Sequence, residues 1–240
     1  MQVKFYKLET IDSTNEWAKK NLTVFKKNSL SIITAKEQTH GKGRDNKQWI
    51  SPSDSNLYCT YVFFSQINYN SVGNIPQVLA LSLIDFLQRL NLTAQIKWPN
   101  DVLINNKKIA GILCETISIE NQQAIILGFG LNINMPFNED IAKPHTSLFI
   151  EKNEQYNIER INQVLASFFV KSLSLFLREG FSPFYEQFKR YLWLNNGIIR
   201  FSSSGAVWEG YVDSINHDGS LNLLLENGKI KTFISGEFIN

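Results

Sequence analysis

The periods of apolar and polar positions divide the chain into strand-like and helix-like segments. Ser31–Ala35 (SIITA) and Asn56–Phe64 (NLYCTYVFF) are dense in β-branched and aromatic residues and predict strands. QIKWPNDVLI (95–104) and KKIAGILCETIS (107–118) predict two more, joined at Asn105-Asn106, where asparagine tolerates the positive φ of a tight hairpin. QAIILGFGLNIN (123–134) is another strand with a glycine-punctuated end. Helical periodicity marks IDSTNEWAKK (11–20), where Ser13 and Glu16 fit a capping box. It also marks 74–91, with Asn74 near the cap and Pro76 in the first turn, and 157–180, stopped by Gly180. Ser182-Pro183 starts another helix.

From about residue 195 the pattern becomes short strands, IIRFSS, AVWEGYVDSI, LNLLLE and KIKTFIS, parted by turns at 217–219 and 226–228. That spacing predicts a small all-β barrel, too small to be stable without leaning on the rest of the chain. The expected fold class is α+β: strands and helices over 1–194, then a small β-barrel over 195–240.

Composition narrows the function classes. The 240 residues are 43% hydrophobic and 19% charged, as in ordinary globular proteins. With 24 basic and 22 acidic residues the net charge is +2, so any cationic function must be local. Cys59 and Cys114, far apart within apolar runs, predict buried thiols rather than a disulfide or a metal site. His40, His145 and His217 stand in unrelated loops, which argues against zinc. No export signal or membrane span is legible, so the cytoplasm is the expected location, without a membrane partner.

Chemistry concentrates in a few stretches. QTHGKGRDNKQW (38–49) lies in a break of about 20 residues between two strands, a length typical of functional loops. Gly41 and Gly43 allow close backbone approach, Lys42 and Arg44 bring charge, and Trp49 offers a flat apolar face. On these grounds alone it reads first as a mobile surface loop, with a loop that closes over an anion as the alternative. In KWPNDVLINNKKIAGIL, a two-residue turn at 105–106 sets Leu103 opposite Lys108 and Asp101 opposite Ala110. Asp101, Leu103, Lys108 and Ala110 then share a face, with Lys108 near the Asp101 carboxylate and Lys107 pointing away. A solvated hairpin tip is the plain alternative. Ser13, Thr14 and Asn15 at a helix start suit either simple capping or a small polar ligand. Gly128 and Gly130 allow close packing or ligand contact at a strand end.

In order and spacing, STN, EQTHGKGRDNKQW, SDSNLYCTYVF, KWPNDVLINNKKIAGILCE and ILGFGLNIN resemble the biotin–protein ligase family from about Ser13 to Asn134. The resemblance is to the biotin–[acetyl-CoA-carboxylase] ligases. It implies a catalytic domain built on a mixed β-sheet with helices on one side, class II aminoacyl-tRNA-synthetase-like, and an SH3-like C-terminal barrel. It also implies two steps: ATP activates biotin to biotinyl-5′-AMP, and a lysine of a biotin carboxyl carrier domain then takes the biotinyl group. Biotin and ATP with Mg²⁺ would be the small molecules bound; metal ligands cannot be assigned from spacing.

By the same resemblance, Ser13, Thr14, Asn15 and Gln38 would hold biotin's ureido ring. Lys42, Gly43 and Arg44 would close on biotin and the adenylate. Lys108 would bridge the biotin carboxylate and the α-phosphate, acting with Arg44 as the catalytic pair. Trp49 would cover the adenine, Asn100 and Asp101 would lie beside the phosphate, and Asn132 would approach the base. Gly111 would leave room for the biotin tail. The chain departs from many relatives at Lys42, where they have arginine, and at Asn46, where they have glycine. Catalytic motifs beginning at residue 13 leave no room here for an N-terminal helix-turn-helix, which implies the monofunctional type without DNA binding; a monomer or weak homodimer is a separate expectation that no residue pattern fixes. The competing readings are a lipoate- or octanoate-attaching enzyme and a non-enzymatic binding module.

Overall fold

A computed structural model describes residues 2–45, 47–66, 72–194 and 197–239. Seven strands form one mixed sheet in the order β1-β2-β3-β7-β6-β5-β4. They are β1 (Gln2–Ile11), β2 (Ser29–Gln38), β3 (Asn56–Ser65), β4 (Gln95–Lys97), β5 (Asp101–Ile104), β6 (Lys107–Ile119) and β7 (Gln122–Asn132). Only β1 and β2 pair in parallel; they are linked through helix α1 (Thr14–Lys20). Alternation along the strands gives the sheet two apolar faces. Ile32, Tyr61, Phe63, Ile125 and Leu127 face the long helices α2 (Ile75–Arg89) and α4 (Ile158–Glu179). Ile33, Val62 and Ile126 face Ala18 of α1. The expectation of helices on one side therefore holds for the long helices, while α1 covers part of the other face.

Helix ends follow their local signals. Asn157 accepts from the Arg160 amide at the start of α4, and Gly180 at φ +70° ends it. Ser147 caps α3 (Leu148–Lys152) in the same way. The helix expected at Ser182-Pro183 is first a 3-10 turn, Ser182–Phe184, and then α5 (Tyr185–Tyr191). The capping box at Ser13 and Glu16 does not form. The Ser13 amide is met by Asp12 at 2.7 Å and the Thr14 amide by Gln38 Oε1 at 2.9 Å, so Glu16 is left for other partners.

Two further corrections concern the region of the predicted hairpin. Residues 95–104 are not one strand. The chain reverses through a cis Trp98–Pro99 peptide, and β4 pairs antiparallel with β5. The turn between β5 and β6 has its expected two positive-φ asparagines, at +50° and +61°. However, the register shifts between Val102 and Leu103. Leu103 faces Lys108 as expected, but Asp101 faces Gly111, and Ala110 lies opposite Val102. One bulge residue moves Ala110 into the core and brings Gly111 to the face of Asp101 and Lys108.

The C-terminal strands β8 (Ile199–Ser203), β9 (Ala206–Ile215), β10 (Leu221–Leu225), β11 (Ile230–Phe233) and β12 (Glu237–Ile239) form a five-stranded antiparallel sheet, ordered β11-β10-β9-β8-β12. Its core residues, Phe201, Leu221 and Leu223 among them, are continuous with the core of the larger sheet. Its β9–β10 turn is also held by polar contacts: Trp98 Nε1 and Gln77 Nε2 donate to Gly219 O, at 2.9 and 2.8 Å. Cys59 and Cys114 are both free thiols, and burial pushes Cys114 up to about 12. Among the described residues no helix is long and apolar enough to cross a membrane.

Candidate active site between the two sheets

A cavity of about 740 Å³ opens on the α1 face of the large sheet and reaches the edge of the small one. All the residues to which the resemblance assigned a ligand contact line it, while Gly41 and Ala110 do not. At one end Ser13, Thr14 and Asn15 are buried at the start of α1. Gln38, at the end of β2, accepts from the Thr14 amide and hydroxyl and donates to Ser51 at 3.0 Å. Thr60, on β3, donates to Asn15 Oδ1 at 2.6 Å, and Asn15 Nδ2 donates to Glu115 at 2.8 Å. Thr60 and Glu115 escaped the sequence reading. A signal existed in Thr60, a hydroxyl inside an apolar strand run, which requires a buried partner.

Three glycines form the cavity floor. A Cβ on Gly128 would collide with the Asn15 amide, and one on Gly130 with the Trp49 ring. A Cβ on Gly111 would lie 2.8 Å from Lys108 Cε and 2.9 Å from Trp49. Bare backbone thus lets Asn15, Trp49 and Lys108 lie flat on the sheet. Lys108 Nζ is 2.7 Å from Asp101 Oδ1 and 5.2 Å from the Trp49 ring centre. Asn100 is fixed to β6 by its carbonyl, at 3.0 Å from the Ile112 amide, and by its Nδ2, which donates to Ile112 O. Asn132 spends its Nδ2 on Thr146 O at 2.9 Å and Lys108 O at 3.5 Å, bracing the backbone behind Lys108.

The 38–49 loop is a small hairpin. Lys42 bridges to Gln48, and the Gly43 amide donates to Lys47 O at 2.6 Å. The left-handed position lies at Asp45, φ +53°, a residue type that tolerates it; Asn46 lies outside the described residues. Of the loop's cations, Lys42 faces α1 and sits 2.5 Å from Glu16, while Lys47 pairs with Glu237 on β12. Arg44 turns between them, donating to Gly236 O at 3.0 Å and to Asn100 Oδ1 at 3.5 Å. Carboxylates from both flanks therefore clasp the loop and leave Arg44 as the cation aimed inward.

The clasp has a pH signature. Hydrogen bonds from Lys19 and Lys42 hold Glu16 below the usual carboxylate range, and Lys47 does the same for Glu237. A depressed carboxyl contributes stability that is fully present above the unfolded value and lost as pH falls through the folded one. Amide exchange over 39–49, corrected for intrinsic rates, should stay flat above the carboxylate range and rise below it, and should be faster in Glu16→Gln near neutrality. Unchanged exchange in Glu16→Gln would show that the clasp does not hold the loop.

The far end of the cavity was not anticipated. Lys97 ends β4 beside Trp193 and Phe238, its Nζ 5.2 Å from each ring centre. Burial pulls its ammonium below lysine's ordinary value, offset in part by Asp101. Its place became visible only once the chain reversed at Pro99. No cluster of three or more His, Cys, Asp or Glu side chains able to hold a metal occurs among the described residues.

Comparison with known proteins places the chain in a family. Residues 8–132 match the biotin/lipoate A/B protein ligase family. The chain is 26% identical over 236 residues to the bifunctional ligase/repressor BirA of Escherichia coli (strain K12), covering 96% of this chain and 72% of that protein. It is 33% identical over 159 residues to the biotin–[acetyl-CoA-carboxylase] ligase of Paracoccus denitrificans, covering 63% of this chain and 66% of that one. The biotin protein ligase of Aquifex aeolicus, solved with biotin and ATP, shares the fold with a TM-score of 0.83 at 24% identity, over 98% of this chain and 97% of that one. With a family match that spans more than half its length, the chain belongs to the biotin/lipoate A/B protein ligase family.

Proposed function

We propose that the protein is an ATP-dependent, AMP-forming biotin–protein ligase, which makes biotinyl-5′-AMP and passes biotin to a lysine of a biotin carboxyl carrier domain. The observation that carries this reading is the position of Lys108. It stands on a glycine floor between the buried polar group at Asn15 and the Arg44 loop, with Asp101 holding its ammonium. In the first step a biotin carboxylate oxygen bonds the α-phosphorus while the bond to the pyrophosphate oxygen breaks, the electron pair leaving on pyrophosphate. Two anions must meet, so the chain's contribution is electrostatic: Lys108 bridges carboxylate and α-phosphate, and Arg44 retains the adenylate. In the second step the neutral carrier amine attacks the acyl carbon, AMP leaves, and the nitrogen loses its proton.

Ser13, Thr14, Asn15 and Gln38 form the biotin end, where hydroxyls and amides can exchange their mutual bonds for those of a ureido ring. That polarity favours biotin over the apolar ring of lipoate. Trp49 lies over Gly111 and Gly130, so a biotin tail can pass Gly111 only once the indole has moved off, free then to cover the adenine. Asn132 holds Lys108 in place more than it reads the base. Lys42 and Gly43 act by closing the loop. Mg²⁺ would arrive on the nucleotide and offset phosphate charge, keeping most of its waters and phosphate ligands. The same reading divides the chain into a catalytic domain, 1–194, and a small domain, 195–240, whose five strands would close as an SH3-like barrel.

Incubation with biotin, ATP, Mg²⁺ and a carrier domain should give a streptavidin-detectable carrier and stoichiometric AMP. Labelling with lipoate but not biotin would overturn the reading in favour of the competing ligase, and no labelling with either would reject both.

A further inference from the structure

One row of paired residues crosses the sheet under the cavity. Gly130 faces Gly111, Gly111 faces Asp101, and Asp101 faces Lys97. Adjacent strands lie about 4.8 Å apart, so the row rules a line from the glycine floor to Lys97, with Lys108 held at its middle by Asp101. Charge along this line is unevenly compensated. Asp101 is committed to Lys108 and Glu237 to Lys47. The Lys97 ammonium has no hydrogen bond or ion pair among the described residues, although the side chain is partly buried against Trp193 and Phe238. Lys143 also lines this end and adds like charge. A sheltered ammonium without a committed carboxylate is costly unless an anion joins it.

The chemistry of the proposed first step supplies one. In a displacement at phosphorus the attacking and leaving oxygens are roughly in line. Biotin held at Asn15 brings its carboxylate along the row from the glycine side, so the leaving group must depart on the opposite side of Lys108. That side is where Lys97 waits. We propose that Lys97, walled by Trp193 and by Phe238 of β12, forms the seat for the departing pyrophosphate, so that the C-terminal sheet completes the nucleotide site at its leaving-group end. The proposal rests on the ligase reading and adds a residue with a role in the first half-reaction only. Breaking the bond between the α-phosphorus and the bridging oxygen places the electron pair on pyrophosphate, and the Lys97 ammonium donates to that oxyanion without losing its proton. The aromatic rings keep the ammonium from turning out to solvent.

The test separates the half-reactions. Lys97→Met keeps the stem between the rings and removes the charge. Biotin-dependent exchange of labelled pyrophosphate into ATP should fall, with at least a tenfold higher pyrophosphate concentration needed for half-maximal rate. Transfer from synthetic biotinyl-5′-AMP to the carrier should stay within about twofold of the parent, because one charge-assisted bond is lost only in the first step. Lys97→Arg should recover part of the pyrophosphate dependence. An unchanged pyrophosphate dependence in Lys97→Met overturns the proposal, as does an equal loss in both half-reactions with the fold intact by circular dichroism. Should both variants misfold, the parent chain decides: inorganic pyrophosphate must slow acetylation of Lys97 relative to exposed Lys107, and equal rates refute the seat. If the parent itself transfers nothing from biotinyl-5′-AMP, the ligase reading fails instead.

Discussion

Lys108→Ala should lose at least about 100-fold in biotin-dependent pyrophosphate release, the scale seen when a preorganised electrostatic donor is removed from a reaction centre. Two effects act together. The cation that would bridge carboxylate and phosphate disappears, and Asp101, now without its 2.7 Å partner, turns an uncompensated carboxylate towards two other anions. The fold should survive, because Lys108 is half-exposed and its backbone is held independently by Pro144, Thr146 and Asn132. Lys107→Ala is the matching control. It removes a lysine one residue away that is exposed and lies outside the cavity, and should release pyrophosphate at the parent rate. Near-parent release by Lys108→Ala, or equal losses in the two variants, would remove Lys108 from the chemistry.

That Lys108 rather than Lys107 faces inward could be read from the chain, and the reason is local. Asn105-Asn106 dictates a two-residue turn, and a two-residue turn fixes the register of the first pair. The reading fails one step further along, at Asp101, because a bulge is not set by any residue type in VLINNKKIAG. The extra residue is Ile109 of β6, between the Leu103–Lys108 and Val102–Ala110 pairs. The conclusion survived the wrong pairing because Asp101 and Lys108 end on the same face in either register.

Lys97 shows the opposite case. Nothing within QIKWPNDVLI separates two strands except Pro99, which fits a strand start as readily as a reversal. Only the fold sets Lys97 opposite Asp101, and only the distant segments at 193 and 238 supply its walls. Glu16 was legible as a helix-start residue but not by task. The capping box needs a free Ser13 amide, and here Asp12 reaches it first, while Gln38 at the end of β2 takes the Thr14 amide beside it. Long-range partners of this kind leave no mark on local spacing. The loop at 38–49 lies between these cases. Its glycines and cations left a surface loop and an anion-closing loop both open, and which of its cations faces inward depends on where Glu16 and Glu237 stand.

Arg44→Gly follows from that division of labour and should leak the intermediate. Lys42 and Lys47 can still clasp the loop, so it should fold back over the site, but without the one inward guanidinium. Arg44 also ties the loop to Gly236 and Asn100, and both contacts vanish with the side chain. A charge-assisted hydrogen bond to phosphate contributes roughly 1.5–3 kcal/mol, so escape of biotinyl-5′-AMP should rise about tenfold or more. The escaping mixed anhydride acylates any accessible amine, and lysines of a bystander protein such as serum albumin should become streptavidin-positive while carrier labelling per ATP consumed declines. Arg44→Lys keeps the charge but not the two-pronged grip and should fall between the variant and the parent. Free adenylate and bystander labelling at parent levels in Arg44→Gly would show that the clasping pairs alone retain the intermediate, and would move the retention role from Arg44 to Glu16 and Glu237.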